Sequence, residues 1–477
     1  MHIYSRRLRA SALALAVIGV LTAGQANASG FQLRENSTKA LGRANAGSAV
    51  ARDDAAVVSN NPAAMSNFNT LTVQNDVTLI DLTAKFTGSA CTPVSASVCV
   101  PIGGTDGGDP GEPSVVPALA IVVPLSGSFE RMTLGASITA PFGLATKYEP
   151  TFVGRYNATT SDLKVPALTL SASYEVTKAL SIGAGFIYQR ADVTLANGID
   201  FGRLLASAGI PGASIGNPST DGSIAISGAD NGTGWVAGVQ FSPSETFSIG
   251  YSHRSEIDHD IDGQADFTVP AQFAGAQPGF RNLAAAYAAL PANDPRRAAI
   301  PQLLVLGNGF ADTGGAASLT TPSIDTISAQ FNVSDALRLY ADVQQTGWTS
   351  LQSVVIDFEN QFQPDSVEPF NWKDSMFYSV GVEFDFSEAL TLRGGIAMDE
   401  SPTNDLDRTP RLPDDDRMLY SVGLSFGINE HMTLDAAYQR ITIDDPTVNV
   451  LSSSGSRLTG SFDGSANLFA VGVNYKF

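Results

Sequence analysis

The sequence predicts an all-β fold, a 14-stranded antiparallel transmembrane β-barrel with an N-terminal hatch (plug) in its lumen. Three observations lead to this prediction. From about Leu71 to the end, successive segments alternate apolar and polar positions, which is the period of a strand with one apolar face. Short turns and long polar loops alternate between these segments. The residues before Leu71 follow a secretion signal and show no such alternation.

The chain begins with a predicted secretory signal peptide, residues 1–28. Three arginines, the first at Arg6, precede an apolar run from Ala10 to Leu21, and small residues follow up to Ala28. A membrane anchor helix is the alternative, but the run falls short of the ~20 residues that a spanning helix needs. We therefore expect cleavage after Ala28.

Composition limits the class of protein. Apolar residues make up 43% of the chain and charged residues 16%, yet after the signal peptide no apolar stretch approaches the length of a spanning helix. The signal peptide holds three of the 28 basic residues and no acidic one, so 25 basic and 47 acidic residues remain, a net charge of −22. This balance argues against a nucleic-acid partner.

The final segment shows the alternation most clearly. One of its faces carries only large apolar side chains, namely Phe469, Val471, Val473, Tyr475 and Phe477. A face that ends in a terminal phenylalanine is typical of outer-membrane proteins, so we expect the barrel-assembly machinery as a partner during biogenesis.

The connections distinguish a barrel from a soluble sandwich. The six short ones lie at Ser126 to Glu130, Thr177-Lys178, Pro243 to Glu245, Ser334-Asp335, Ser387-Glu388 and Asn429-Glu430. The seven long ones lie at about 88–114, 144–161, 196–231, 268–319, 358–372, 399–415 and 445–462. Such asymmetry is typical of periplasmic turns and extracellular loops. Because hydrocarbon offers backbone groups no hydrogen-bond partner, we expect the sheet to close over residues 70–477.

The two faces of the predicted strands differ in chemistry. Outward aromatic residues near strand ends predict an interfacial girdle: Tyr174, Tyr188, Trp235, Tyr251 and Tyr378. Charged residues fall on the inward phase, because an arginine facing lipid near mid-bilayer would cost about 2–4 kcal/mol. They are Arg254, Glu256, Asp258, Arg338, Asp342, Arg393, Arg417 and Asp435, whereas His253 and His259 fall on the outward phase.

Residues 29–69, which we call the hatch, carry four short motifs. These are Gly30-Phe31-Gln32-Leu33, Leu41-Gly42-Arg43-Ala44, Asp53-Asp54-Ala55 and Asn61-Pro62-Ala63. Later stretches add Pro141-Phe142-Gly143 with Tyr148, Asn371-Trp372-Lys373-Asp374, and Leu412-Pro413-Asp414 through Arg417. In this order, after a signal peptide and before an even set of strands, they resemble the FadL family of outer-membrane transporters for long-chain fatty acids and other hydrophobic compounds.

The resemblance implies a barrel closed by the hatch, a hydrophobic groove among the extracellular loops and a tighter pocket inside. It also implies an inward kink of one strand, through which ligand leaves sideways into the membrane. The hatch residues it singles out are Phe31, beside the inner pocket, with Leu33, Asn61, Pro62 and Ala63. The third strand is predicted at Met132 to Phe142 and contains Pro141, which cannot donate to the ladder, but the sequence does not locate the kink.

The longest loop, about 268–319, contains a helix-favouring run. Leu283, Tyr287 and Leu290 would share one helical face. This face predicts part of the ligand-capturing groove; the alternative is that it packs on neighbouring loops.

Cys91 and Cys99 are the only cysteines and lie in a Gly/Pro/Ser-rich segment. An exported protein favours a small loop disulfide, with free thiols as the alternative. Two cysteines without nearby histidines do not complete a tetrahedral metal shell, so no metal is expected.

The mature chain has three histidines, His253, His259 and His431, and we can place no serine, histidine and acid on one face. We therefore expect neither an enzyme nor a cofactor. The leading hypothesis is passive uptake of long-chain fatty acids by a monomer set in outer-membrane lipid and lipopolysaccharide. Capture in the loop groove, hatch rearrangement and lateral release would follow in turn, with Arg254, Arg338 and Arg393 as possible carboxylate partners. Uptake of aromatic or alkane hydrocarbons is the alternative, and a structural or adhesive barrel is a third reading.

Overall fold

The structure, a computed structural model, describes residues 30–207, 214–270 and 276–477. The predicted signal peptide, residues 1–28, lies outside the described residues. Within these ranges no helix is both long enough and apolar enough to cross a membrane.

The described chain forms strands joined by short helices. The strands are β1 Thr72–Ser95, β2 Val98–Pro101, β3 Ser114–Pro124, β4 Met132–Lys147, β5 Thr160–Thr177, β6 Leu180–Asp200, β7 Asp221–Ser244, β8 Phe247–Arg254, β9 Ile257–Thr268, β10 Thr313–Thr321, β11 Ile324–Asn332, β12 Leu337–Thr346, β13 Ser353–Phe358, β14 Ser366–Pro369, β15 Ser375–Asp385, β16 Leu390–Asp399, β17 Arg417–Gly427, β18 Met432–Ile443, β19 Thr447–Leu451 and β20 Arg457–Lys476. The α-helices are α1 Thr38–Leu41, α2 Val57–Asn60, α3 Phe201–Ser207, α4 Ala276–Ala288 and α5 Ile300–Gly309, and 3-10 helices cover Pro62–Asn67, Gly127–Phe129, Pro218–Thr220, Pro295–Ala299 and Trp348–Ser350.

These segments assemble, in the described residues, into a closed barrel of fourteen antiparallel strands, which confirms the predicted fold class. Five barrel strands are interrupted along their length, so β8 and β9 count as one, as do β10 and β11, β12 and β13, β14 and β15, and β18 and β19. Among the described strands, the short strand β2 pairs only with β1 and is not counted. The last strand pairs with the first from Thr72↔Lys476 to Cys91↔Arg457. The barrel sheet therefore has no open edge between its first and last strands.

Each of the six predicted short turns overlaps a short connection of the barrel. Most of the long loops, however, are shorter than predicted, because strands extend into them. β1 runs on to Ser95, β4 to Lys147 rather than Phe142, and β7 begins at Asp221. The loop between β16 and β17 has its predicted length. The segment 221–231 is rich in Gly, Ser and Asp and shows no apolar alternation, yet its backbone pairs with β6 from Asp200↔Asp221 onward. Alternation therefore marks only the part of a strand that carries an apolar outer face.

The outward face is apolar, as predicted. In β20 the five predicted outward side chains are 36% to 62% exposed, whereas the inward Ala470 and Asn474 are each 2% exposed. The five predicted girdle aromatics are also exposed, between 40% and 50%. Tyr188 and Trp235 do not lie near strand ends, since β6 and β7 continue well beyond them.

The predicted phase is wrong after Arg254. Arg254 is buried and points inward, but β8 ends there and β9 begins at Ile257. The two intervening residues lie outside both strands and shift the alternation by one position. The inward side chains therefore have even numbers in β8 and odd numbers in β9, because a shift of one residue exchanges the two faces of a strand. His259 is therefore buried inside, while Glu256 and Asp258 are exposed.

Described residues of the hatch lie inside the barrel. The Thr38 N–H donates to Asp76 Oδ1 of β1 at 3.0 Å, the Gly47 N–H donates to Asp342 Oδ1 of β12 at 2.6 Å, and Ser171 Oγ of β5 donates to the carbonyl of Val58 at 2.8 Å. The hatch segment that contains α1, α2 and the helix Pro62–Asn67 therefore occupies the lumen and contacts the wall on several sides.

Candidate functional site

A buried ion-pair cluster ties the hatch to the wall. The Glu383 carboxylate accepts hydrogen bonds from Arg43 of the hatch, from Arg393 Nε at 2.6 Å and from Arg338 Nε at 3.0 Å. Tyr340 donates its hydroxyl to the same carboxylate at 2.9 Å, and the Arg43 guanidinium lies 4.5 Å from the centre of the Tyr340 ring. Arg338 and Arg393, two of the predicted carboxylate partners, thus already have an acidic partner.

The Asn-Pro-Ala motif anchors the hatch against glycines of the wall. Asn61 Nδ2 donates to the Ala49 carbonyl at 2.7 Å, and Asn61 Oδ1 accepts from the Ala63 N–H at 3.1 Å. A Cβ added at Gly238 would lie 2.1 Å from Asn61 Oδ1, and one at Gly183 would lie 2.4 Å from the Ala63 nitrogen. Asn61, Pro62 and Ala63 line none of the cavities described below, so the structure gives them a packing role.

A wide cavity, which we call the vestibule, lies among the long loops. It holds about 2380 Å³ of free space, part of it open to solvent. Its apolar lining includes Val305, Leu306, Phe310, Phe362, Leu406 and Leu451. The predicted groove residues do not line it: Leu283 and Tyr287 of α4 pack into the cluster formed by α3, α4 and α5, and Leu290 follows α4. The apolar face of α4 thus packs on its neighbours, which was the alternative to a groove, and α5 lines the vestibule instead.

A second cavity, the inner pocket, adjoins the vestibule on the barrel side. It has about 880 Å³ of free space, part of it open to solvent. Most of its lining is apolar, including Leu144, Leu163, Val193, Ile261, Leu319, Leu351 and Phe370. Leu195, Ile226, Ile356 and Arg411 line both cavities, so the two adjoin at these residues.

Phe31 lies at the hatch end of the inner pocket, where the resemblance predicts it. Its ring centre is 4.7 Å from that of Trp348, 5.5 Å from Trp372 and 6.0 Å from Phe142. Its carbonyl accepts from the Gly143 N–H of β4 at 2.8 Å. Trp348 was not singled out from the sequence. It lies in the break between β12 and β13, and the only sign of its role was a large apolar residue in a turn-like stretch.

The barrel wall separates beside Phe31. Among the described residues, β3 pairs with β4 only from Leu119↔Ile138 to Pro124↔Thr133. The rest of β4 leaves β3, and its register with β5 shifts between Thr139 and Phe142, where Pro141 offers no N–H to the ladder. Leu33 of the hatch donates its N–H to the Pro141 carbonyl at 2.8 Å. The strand irregularity that the sequence could not locate is at Ala140-Pro141.

A third cavity, the polar cavity, lies beside Gln32 and Leu33, the residues that follow Phe31, and has about 770 Å³ of free space, part of it open. Its lining includes Leu33 and Arg34 of the hatch, Pro141 of the irregular segment, and Arg254. Arg254 is 8% exposed and donates from Nη2 to Gln189 Oε1 at 2.8 Å, while its Nε has no hydrogen-bond partner. Within the described ranges no ion pair is found for this guanidinium.

Comparison with known proteins decides the family. The family model described as "Outer membrane protein transport protein (OMPP1/FadL/TodX)" matches residues 19–477. The chain belongs to this outer-membrane transport family. It is therefore a transport protein of the outer membrane and not an enzyme.

Curated relatives of the family match over most of their length. A long-chain fatty acid transport protein of Salmonella typhi is 29% identical over 415 residues, 85% of each chain. Outer membrane protein P1 of Haemophilus influenzae is 27% identical over 497 residues, 97% of this chain and 98% of its own length.

Solved structures of the family share the fold. A Pseudomonas aeruginosa FadL homologue superposes with a TM-score of 0.81 at 23% identity, covering 94% of this chain and 99% of its own. The Ralstonia pickettii toluene transporter TbuX gives a TM-score of 0.61 at 19% identity over the same shares. These likenesses support the closed barrel of the described residues.

The loops outside the membrane-spanning strands hold two further predicted features. Cys91 and Cys99 form a disulfide with their Cα atoms 5.5 Å apart, so the free-thiol alternative does not apply. Asp414 accepts from the Gly30 N–H at 2.9 Å and pairs with Arg417. Burial raises the pKa of Asp414, although Arg417 and the Gly30 N–H act to lower it. In the described chain no group of three or more metal-ligating side chains is found.

Proposed function

We propose that the protein takes up hydrophobic compounds passively, with long-chain fatty acids as the main substrates. The observation that carries this proposal is that two largely apolar cavities adjoin between the long loops and the hatch. The vestibule and the inner pocket share Leu195, Ile226 and Ile356, and the pocket ends at Phe31, which is bonded to the irregular part of β4.

The driving force is the hydrophobic effect. Burying one methylene group is worth about 0.8 kcal/mol. The free energy of a long acyl chain therefore falls at each step from water to vestibule to inner pocket. No energy source is needed if the chain then enters the membrane, because the lipid offers an equally apolar environment.

Release requires the hatch to rearrange at its first residues. Phe31 and Leu33 are held to β4 by two backbone hydrogen bonds of 2.8 Å, whereas the rest of the hatch is fixed by buried charges and by close contacts with glycines. Displacing Phe31 would join the inner pocket to the polar cavity beside Pro141. The ligand would then leave through the separation between β3 and β4.

Among the three arginines predicted as carboxylate partners, Arg254 best suits a ligand carboxylate. It lines the polar cavity next to Pro141, and a guanidinium binds a carboxylate through paired N–H groups. Arg338 and Arg393 are no longer favoured, because Glu383 binds both.

Hydrocarbon uptake is the second candidate, because nearly all of the inner pocket is apolar and the solved relatives include a protein named as a toluene transporter. The test is uptake of labelled oleate and of toluene by cells or vesicles with and without the protein. Oleate uptake supports the proposal, and uptake of toluene alone supports the second candidate. Uptake of neither would contradict both candidates and would mean that the substrate belongs to another class.

A further inference from the structure

Arg411 occupies an unusual position, at the junction of the vestibule and the inner pocket. It lines both cavities, and its side chain is 6% exposed. Among the described residues that line the inner pocket, it is the only charged one. A buried charge in an apolar wall is costly unless it is paired, so its partners determine what it can do.

The Arg411 guanidinium has one strong partner and two weak ones. Its Nε donates to Glu368 Oε1 at 2.9 Å. Its Nη1 and Nη2 reach only the Thr160 carbonyl and Asn197 Oδ1, both at 3.4 Å. A guanidinium carries five N–H donors, and contacts as long as 3.4 Å are weak. Arg411 therefore has unused donor capacity at the edge of the apolar pocket.

Glu368 approaches Arg411 from the vestibule and not from the pocket. It lines the vestibule, does not line the inner pocket, and its side chain is 24% exposed. It lies on the four-residue strand β14, which pairs only with β13 in the described residues. Glu368 can thus turn toward the solvent of the vestibule when its bond to Arg411 is broken.

The backbone around Arg411 is fixed, in contrast to Glu368. Thr146 Oγ1 donates to the Arg411 carbonyl at 3.0 Å, and Tyr148 donates its hydroxyl to the Pro410 carbonyl at 2.7 Å. Both donors lie at the end of β4, Thr146 within the strand and Tyr148 directly after it. The arginine backbone therefore stays in place beside the pocket when the acidic partner leaves.

We propose that Arg411 is a specificity residue that selects ligands with a carboxylate, and that the Glu368 carboxylate pairs with Arg411 until such a ligand replaces it. An acid whose tail fills the inner pocket toward Phe31 has its head at Arg411, where its carboxylate replaces that of Glu368. The exchange conserves charge, since one carboxylate leaves the guanidinium as another binds. A ligand with a neutral head cannot make this exchange. The inference rests on the proposed function and adds to it the two residues that recognise the ligand head group.

The test compares binding of oleate with that of oleyl alcohol, which has the same chain and a neutral head, to purified full-length protein in detergent. Arg411→Gln weakens oleate binding about tenfold or more, as expected for loss of a charge-assisted bond, and leaves oleyl alcohol within about twofold. Glu368→Gln removes the competing carboxylate and tightens oleate binding severalfold. Arg296→Gln is the matched control, because Arg296 also pairs with an aspartate, at 2.8 Å, but is 48% exposed and lines neither cavity.

Two outcomes overturn the inference. If Arg411→Gln weakens oleate and oleyl alcohol equally, the arginine only supports the fold of the loop. If Glu368→Gln weakens oleate binding, the glutamate is not a competitor. In either case, oleate uptake by the unaltered protein would keep the proposed function, whereas its absence would end the proposed function itself.

Discussion

The hatch has two ends that are held in different ways. From α1 to the helix Pro62–Asn67, buried charges and glycine contacts lock it to the wall. From Gly30 to Leu33, aromatic contacts and two backbone hydrogen bonds to β4 hold it, together with hydrogen bonds of Gly30 to Asp414 and of the Gln32 side chain to Gln344 and Thr346. The inner pocket lies beside Phe31, and the polar cavity lies beside Gln32 and Leu33. The difference suggests that one end serves as an anchor and the other as the part that moves.

The largest expected effect comes from breaking the anchor. Glu383→Gln leaves Arg43 and Arg393 buried beside a neutral amide, and removing one partner from a buried ion pair costs about 3–5 kcal/mol. We expect a marked fall in the thermal unfolding midpoint in detergent. Asp294→Asn, which breaks an exposed pair, should change it little; equal shifts in the two variants would show that the cluster is not an anchor.

The mobile end should affect binding more than stability. Phe31→Ala removes the floor of the inner pocket, so oleate binding weakens about tenfold, equivalent to about 1.4 kcal/mol. The affinity is measured with a brominated fatty acid, which quenches the fluorescence of Trp348 and Trp372 when it binds. A Trp235→Phe background removes the signal of the outward tryptophan. A loss of stability larger than that of Glu383→Gln would reverse the comparison between the two ends.

A smaller effect is expected at the wall. Pro141→Ala restores an N–H to the irregular part of β4 and lets it pair more regularly. Uptake of oleate should slow severalfold while its affinity stays unchanged, as measured by uptake and by quenching on the same variant. Unchanged uptake would argue that release does not use the gap between β3 and β4.

The smallest effect concerns pH at the mobile end. Because burial raises the pKa of Asp414 above its usual 3.8, the folded state binds a proton more readily than the unfolded state. The contribution of Asp414 to stability is therefore present below its unfolded pKa and is lost as pH rises through the raised value. Asp414→Asn should flatten the pH dependence of unfolding in that window; an unaltered slope would exclude this role.

Local patterns predicted much of this fold because they depend on neighbours in sequence. The outward face of β20 and the short turns follow from short stretches, whereas the expected position of Phe31 came from the resemblance to the family. The break after Arg254 could not be predicted, since the change of face depends on two residues whose composition is ordinary. Nor could the pairing of Glu383 with Arg43, Arg338 and Arg393, because the hatch and two further strands bring them together from distant parts of the chain.

The groove illustrates a further limit. Both α4 and α5 have apolar residues, and only their packing decides that α4 faces its neighbours while α5 lines the vestibule. Arg411 was missed because its sequence neighbours carry no sign of the apolar pocket beside it.

The central claim is that ligand follows an apolar path that ends at Phe31. A crystal structure of the protein with a brominated stearate tests it most directly, since bromine can be located by anomalous scattering. We predict bromine in the inner pocket, between Leu163 and Leu319, with the acyl chain pointing to Phe31. Bromine found only on the outer surface of the barrel would contradict the account.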